Sequence, residues 1–170
     1  MKNCIFFISA LTALSLVSCL KPNEFPDEPA LEFGEFLRYS DDSAKLILNF
    51  TDGDGNFGLT AADTSGTYCS QCMAYYNLYC EYYELQNGQW VHLPLIPFLP
   101  FNQIAFYYRV PWVMPTGQEK AQQGELEITM RGNYGYWLES EFDTARFEIH
   151  IVDRSLNESN VVRTPAFIKP

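Results

Sequence analysis

The residues best suited to chemistry lie in one short run, Asp52-Gly53-Asp54-Gly55-Asn56-Phe57-Gly58-Leu59. A D-x-D-x-N spacing puts three oxygen-bearing side chains on one side of a tight loop, and calcium takes six to eight hard oxygen ligands. In an EF-hand register Asp52, Asp54 and Asn56 fall at positions 1, 3 and 5, Leu59 at the apolar position 8, and Asp63 at position 12. Two features depart from that register. Phe57 stands where the sharp turn calls for glycine, and Asp63 replaces the longer, bidentate glutamate. No flanking helices are predicted. The expectation is a calcium site formed by Asp52, Asp54, Asn56 and Asp63, EF-like in ligand spacing only, that stiffens a loop rather than catalyses. The competing expectation is a Gly/Asp turn closing a strand, where such residues tolerate positive φ.

Cysteines supply the second candidate chemistry. Cys69-Ser70-Gln71-Cys72 is followed by Cys80. A C-x-x-C pair can ligate zinc or cycle as a redox couple. Zinc needs a fourth ligand, and neither His92 nor His150 sits at a telling spacing. No βαβ pattern surrounds the pair, which argues against a thioredoxin-like role. In an exported protein thiols oxidise, so one disulfide with a leftover thiol is expected among Cys69, Cys72 and Cys80. Joining Cys80 to either of the others would close the loop before a tyrosine-rich strand.

Aromatic residues make up 16% of the chain, enough for an exposed patch that stacks on sugars or anchors a protein partner. On any strand alternate aromatics must fill the core. The loop-like Tyr134-Gly135-Tyr136-Trp137 is therefore the candidate binding patch, through Tyr134, Tyr136 and Trp137. Catalytic motifs are missing: there is no G-x-S-x-G, H-E-x-x-H or Gly-rich phosphate loop. Glu139, Glu141 and Asp143 offer carboxylates for a glycosidase pair. A glycan-processing hydrolase of the envelope or cell surface is accordingly the alternative to a non-catalytic module. A formal net charge of −10 argues against nucleic-acid binding, which requires a basic face.

The elements that must position these residues read as strands. Lys45 to Thr51 places Leu46, Leu48 and Phe50 on one face. Glu125 to Arg131 does so with Leu126, Ile128 and Met130, and Arg146 to Val152 with Phe147, Ile149 and Ile151. Further strand patterns occupy Leu31 to Tyr39, Tyr75 to Leu85, Trp90 to Leu93, Ile104 to Val110 and Val161 to Thr164. Asn87-Gly88 between two of them marks a two-residue hairpin turn. Thr60 to Asp63 and Gln118 to Ala121 suit single turns of helix. Pro94 to Phe101 carries too many prolines for a central strand. Seven or eight short strands with one apolar face predict an all-β, immunoglobulin-like or fibronectin III-like β-sandwich over residues 31–168.

The first residues give an address. Lys2 precedes the apolar run Ile5 to Val17, which is shorter than the roughly 20 residues that span a bilayer. This pattern predicts a secretory signal over residues 1–18. Its end, Leu16-Val17-Ser18-Cys19, resembles the lipobox of bacterial lipoproteins, in which the cysteine is acylated. Residues 19–30 then form a lipidated, Pro-rich tether of semi-stiff character. Two or three acyl chains on Cys19 make attachment effectively permanent. The expected location is the outer membrane, anchored by lipid, with either face open.

The lipobox, Phe50 to Leu59, Arg109-Val110-Pro111 and Arg146 to Asn160 together resemble uncharacterised Bacteroidota outer-envelope lipoproteins with an immunoglobulin-like domain. The resemblance spreads over most of the chain after Cys19. It implies the fold and the address and brings no activity with it. The functional expectation is a lipid-anchored envelope protein acting as a non-catalytic binding or accessory module, calcium-stabilised, with a protein or glycan partner.

Overall fold

The alternating rows behave as their periodicity dictates. In the computed structural model, which describes residues 25–40, 43–93, 106–115, 120–131 and 140–169, they become nine strands. These are β1 (Ala30–Ser40), β2 (Ser43–Asp52), β3 (Leu78–Gln86), β4 (Gln89–His92), β5 (Phe106–Tyr108), β6 (Gln122–Arg131), β7 (Thr144–Ile151), β8 (Val162–Arg163) and β9 (Phe167–Ile168). One sheet has the order β1-β2-β6. The other has the order β4-β3-β7-β8, with β5 beside β4 on the same edge of β3 and β9 beside β8 on the edge of β7. Every named strand pair is antiparallel. The described residues form an all-β sandwich of a three-stranded and a six-stranded sheet. With β4 and β5 sharing one edge position and β8 and β9 the other, its layout is that of an immunoglobulin-like or fibronectin III-like domain.

Side chains alternate across a strand, so each inward row meets the opposite sheet. From β2 and β6 come Leu46, Leu48, Ile128 and Met130. From β3, β5 and β7 come Leu78, Cys80, Tyr82, Phe106, Phe147, Ile149 and Ile151. Phe147 sits at the centre, edge-on to Tyr82 and Phe106. Each such side chain stabilises by about 1.5–3 kcal/mol when buried. The β3–β4 hairpin turns at Asn87 and Gly88, with φ of 51° and 80°. Both central residues thus adopt the left-handed backbone that Asn-Gly supplies.

Several local expectations change. The tyrosine-rich run begins as a 3-10 turn at Met73–Tyr75, and strand pairing starts only at Leu78. Thr60 to Asp63 forms a hydrogen-bonded turn, not a turn of helix, because the Asp63 side chain folds back on Thr60. Among the described residues no helix is long and apolar enough to cross a membrane. Pro94 to Phe101 and most of Gln118 to Ala121 lie outside the described residues.

The strand directions define two ends of the sandwich. At one end β1 begins, β2 and β7 finish and β6 begins, since Ala30 pairs with Thr51 and Asp52 with Gln122. At the other, β2 starts at Ser43 opposite Arg131, and β9 closes against Thr144 and Ala145. We call these the near pole and the far pole.

Candidate metal centre

At the near pole two inward rows each end in a carboxylate. The β2 row Leu46, Leu48, Phe50 continues to Asp52, and the β7 row Phe147, Ile149, Ile151 continues two residues beyond to Asp153. Asp52 and Asp153 are 0% and 1% exposed. Strand alternation therefore carries two acids to the rim of an apolar core. Asp54 joins them from the β2–β3 loop, and carboxylate oxygens of Asp52, Asp54 and Asp153 all lie within 4.8 Å of one another.

Local hydrogen bonding shapes this loop. One oxygen of Asp52, Oδ2, accepts the backbone N–H groups of Gly55 and Asn56, each at 2.9 Å. Gly55 has φ of 77°, which a side chain would strain, and its carbonyl accepts the indole N–H of Trp112 at 2.9 Å. Phe57 then turns inward and stacks on Phe50 with ring centroids 3.8 Å apart. This explains the misplaced glycine. The loop makes its sharp turn at position 55 and uses position 57 as a core plug.

Asn56 links loop and turn. Its amide nitrogen donates to Asp54 Oδ2 at 2.6 Å and to Ser155 Oγ at 2.9 Å. Arg154 N–H donates to the Asn56 carbonyl at 3.2 Å. Asp153 in turn accepts the backbone N–H of Asn157 on Oδ1 and its side-chain N–H on Oδ2, both at 2.8 Å.

Three oxygens are left over. Asp52 Oδ1, Asp54 Oδ1 and Asn56 Oδ1 are buried without a hydrogen-bond partner among the described residues. A buried acceptor without a partner costs about 1–3 kcal/mol, more when charged. Burial first, and the negative charge of Asp54 second, push the Asp52 carboxyl up to about 6 from its ordinary 3.8. Burial also raises Asp54. Oxygens of this kind, grouped with a third carboxylate, can hold a metal ion.

Asp63 requires a correction as the fourth ligand. Its Oδ2 accepts the N–H and hydroxyl of Thr60 at 2.7 and 2.8 Å and pairs with Arg154 at 3.6 Å. Those contacts, the Thr60 hydroxyl foremost, hold its carboxyl below the usual range. Past Leu59 the chain does not enter a helix. Leu59 forms a parallel bridge with Pro111, and Arg109 gathers the Thr60 and Asp63 carbonyls, both at 2.7 Å. Asp153 stands in the cluster instead. The signal for it was the unbroken two-residue alternation of β7.

The cysteines also resolve differently from one expectation. Cys69 and Cys72 are joined, with Cα atoms 5.1 Å apart, and Cys80 is free and buried. Cys80 belongs to the inward row Leu78, Cys80, Tyr82, so it faces the core and not the loop. Burial pushes its thiol far up, which makes it a poor nucleophile. Asp143 accepts the Thr144 hydroxyl at 2.8 Å. Cys19, Tyr134, Tyr136, Trp137 and Glu139 lie outside the described residues.

No protein-family model matches the chain, and no curated protein matches it.

Proposed function

We propose that this chain is a lipid-anchored protein of the bacterial outer envelope, a non-catalytic binding or accessory module whose near pole is braced by calcium. The observation that carries the reading is the set of three unpartnered buried oxygens on Asp52, Asp54 and Asn56, beside Asp153. A divalent ion there would neutralise the crowded charge and occupy the orphaned lone pairs. It would also join the β2–β3 loop of one sheet to the β7–β8 turn of the other. Calcium suits an irregular set of four protein oxygens completed by water, whereas magnesium demands near-ideal octahedral geometry. The role follows from position: the ligands sit on backbone that ends two core rows, where an ion stiffens a sandwich end.

The address is supported by the lipobox-like Leu16-Val17-Ser18-Cys19, the Pro-rich segment after it and the resemblance to Bacteroidota outer-envelope lipoproteins. A glycan or protein partner would then be met at the envelope. Gentle detergent extraction tests the accessory role. A partner that co-purifies reproducibly is expected, and recovery of the monomer alone counts against it.

A thermal melt in calcium and in chelator tests the metal. At a hundredfold excess over the dissociation constant, calcium is expected to add about 2.7 kcal/mol of stability, with little gain in Asp52→Asn or Asp54→Asn. An unchanged midpoint in the wild type overturns the calcium site. An equal rise in magnesium moves the assignment to that ion.

A further inference from the structure

The near pole carries a second feature that the metal site does not use. Val113 and Met114 are 70% and 68% exposed, and Leu156 at the tip of the β7–β8 turn is 52% exposed. Segment 111–115 is locked to the acidic loop. Trp112 N–H donates to the Leu59 carbonyl at 3.0 Å, its indole holds Gly55, and the Pro115 ring packs where a Gly55 side chain would be. Arg154 lies over the Trp112 ring at 5.5 Å, and Lys120 is exposed beside Gly55. Two protruding aliphatic residues, a tryptophan at their base and flanking cations are the chemistry of a surface that enters a lipid headgroup layer.

Chain connectivity says what that surface faces. The carbonyls of Phe25 and Pro26 lie so close to Gly53 that a side chain there would collide with them. Phe25, from which the sequence leads back to Cys19, therefore lies beside the acidic loop. Five residues separate Phe25 from Cys19, and the six steps between the two span at most about 20 Å when fully extended. The eleven residues of β1 alone span roughly 35 Å. An anchor at Cys19 thus reaches a bilayer beside the near pole and cannot bring the far pole to it without tipping the domain over.

We propose that the near pole rests against the bilayer that holds the anchor, with Val113 and Met114 seated among the lipid headgroups. The inference rests on the acylation of Cys19 put forward above. An ion bound by Asp52, Asp54 and Asp153 would further it, because the chain is strongly acidic and anionic lipid repels uncompensated carboxylates.

The test uses the full acylated chain in vesicles of phosphatidylethanolamine and phosphatidylglycerol. A nitroxide is attached at Met114→Cys or, at the far pole, at Tyr39→Cys, where Tyr39 is 62% exposed. Cys80 is buried and Cys69 is joined to Cys72, so the introduced thiol is the one that reacts. The label at 114 is expected about 5 Å below the phosphates, shielded from a water-soluble nickel relaxant, and the label at 39 in open water. Equal aqueous exposure at both positions, on protein whose mass includes the acyl chains, overturns the membrane-facing pole and leaves the anchor standing. A mass without acyl chains overturns the anchor itself, and this proposal with it.

Discussion

Both poles of the sandwich bury a carboxylate at the end of an inward row, and they treat it in opposite ways. At the far pole the β3 row Leu78, Cys80, Tyr82 ends in Glu84, 0% exposed. Lys169 reaches it at 2.8 Å, Ser140 donates at 2.7 Å, and Tyr82 and Gln86 donate at 3.2 and 3.3 Å. Burial pulls the Glu84 carboxyl upward, but these donors outweigh it and leave it below the ordinary glutamate value. At the near pole Asp52 has two backbone donors and, among the described residues, no paired cation, and its carboxyl rises. A buried charge persists when a partner and hydrogen bonds compensate the loss of water. The far pole holds that compensation within the chain. The near pole has the oxygens for it and, on the reading proposed above, would take the charge from a bound ion.

The largest effect should come from breaking the self-sufficient pole. Lys169→Met keeps the aliphatic stem and removes the ammonium, leaving Glu84 uncompensated. Denaturant unfolding is expected to show a loss of about 3–5 kcal/mol. The double variant with Glu84→Gln should regain most of it. A single variant within about 1 kcal/mol of wild type would mean that water already solvates Glu84.

Acidity separates the poles next. In chelator, the Asp52 carboxyl at about 6 in the folded state exceeds its ordinary 3.8, so the folded protein holds that proton more tightly. The stabilising contribution is complete below about pH 3.8 and vanishes as pH rises through about 6, and the gap corresponds to about 3 kcal/mol. Roughly half of it should disappear between about pH 5 and pH 7.5, read as the difference between wild type and Asp52→Asn. Saturating calcium should flatten that difference by keeping Asp52 ionised. Glu84 has the reverse sign: its contribution is present above its ordinary 4.5 and is lost as pH falls through its lowered value. A chelator profile in which wild type and Asp52→Asn run parallel would contradict the unbalanced near pole.

The smallest expected effect probes the loop itself. Trp112→Phe removes the indole donor from the Gly55 carbonyl, at a cost of about 1 kcal/mol. It should also weaken calcium affinity, which titration calorimetry reads, and leave the Glu84–Lys169 pair untouched. A cost without any change in affinity would show that the indole supports packing alone.

The sandwich was legible because its rows alternate cleanly, as in Leu126, Ile128, Met130 or Phe147, Ile149, Ile151, and because Asn87-Gly88 has few other uses. Asp52, Asp54 and Asn56 were legible as a cluster of oxygen side chains because they lie within five residues. Asp63 was misread because the EF-hand register assumes a helix after position 8. Here a bridge to Pro111 takes the chain elsewhere. Asp153 lies about 100 residues away from its companions, and only extending the β7 alternation by one step points it inward. Spacing alone could not choose a partner among three cysteines; the inward position of Cys80 did. The Glu84–Lys169 pair joins residues 85 apart, and nothing local announces it.

Cys80 has a practical consequence of its own. It is a free thiol at 0% exposure, the third residue of β3, and it faces the core between the two sheets. An alkylating reagent reaches it only when the strands part, so at reagent concentrations where alkylation outpaces reclosing its modification rate in native buffer reports the opening kinetics of the core. The protein thus carries a built-in stopwatch. Timing that reaction with and without calcium would show whether bracing one pole slows the escape of the whole sandwich or merely quiets a loop.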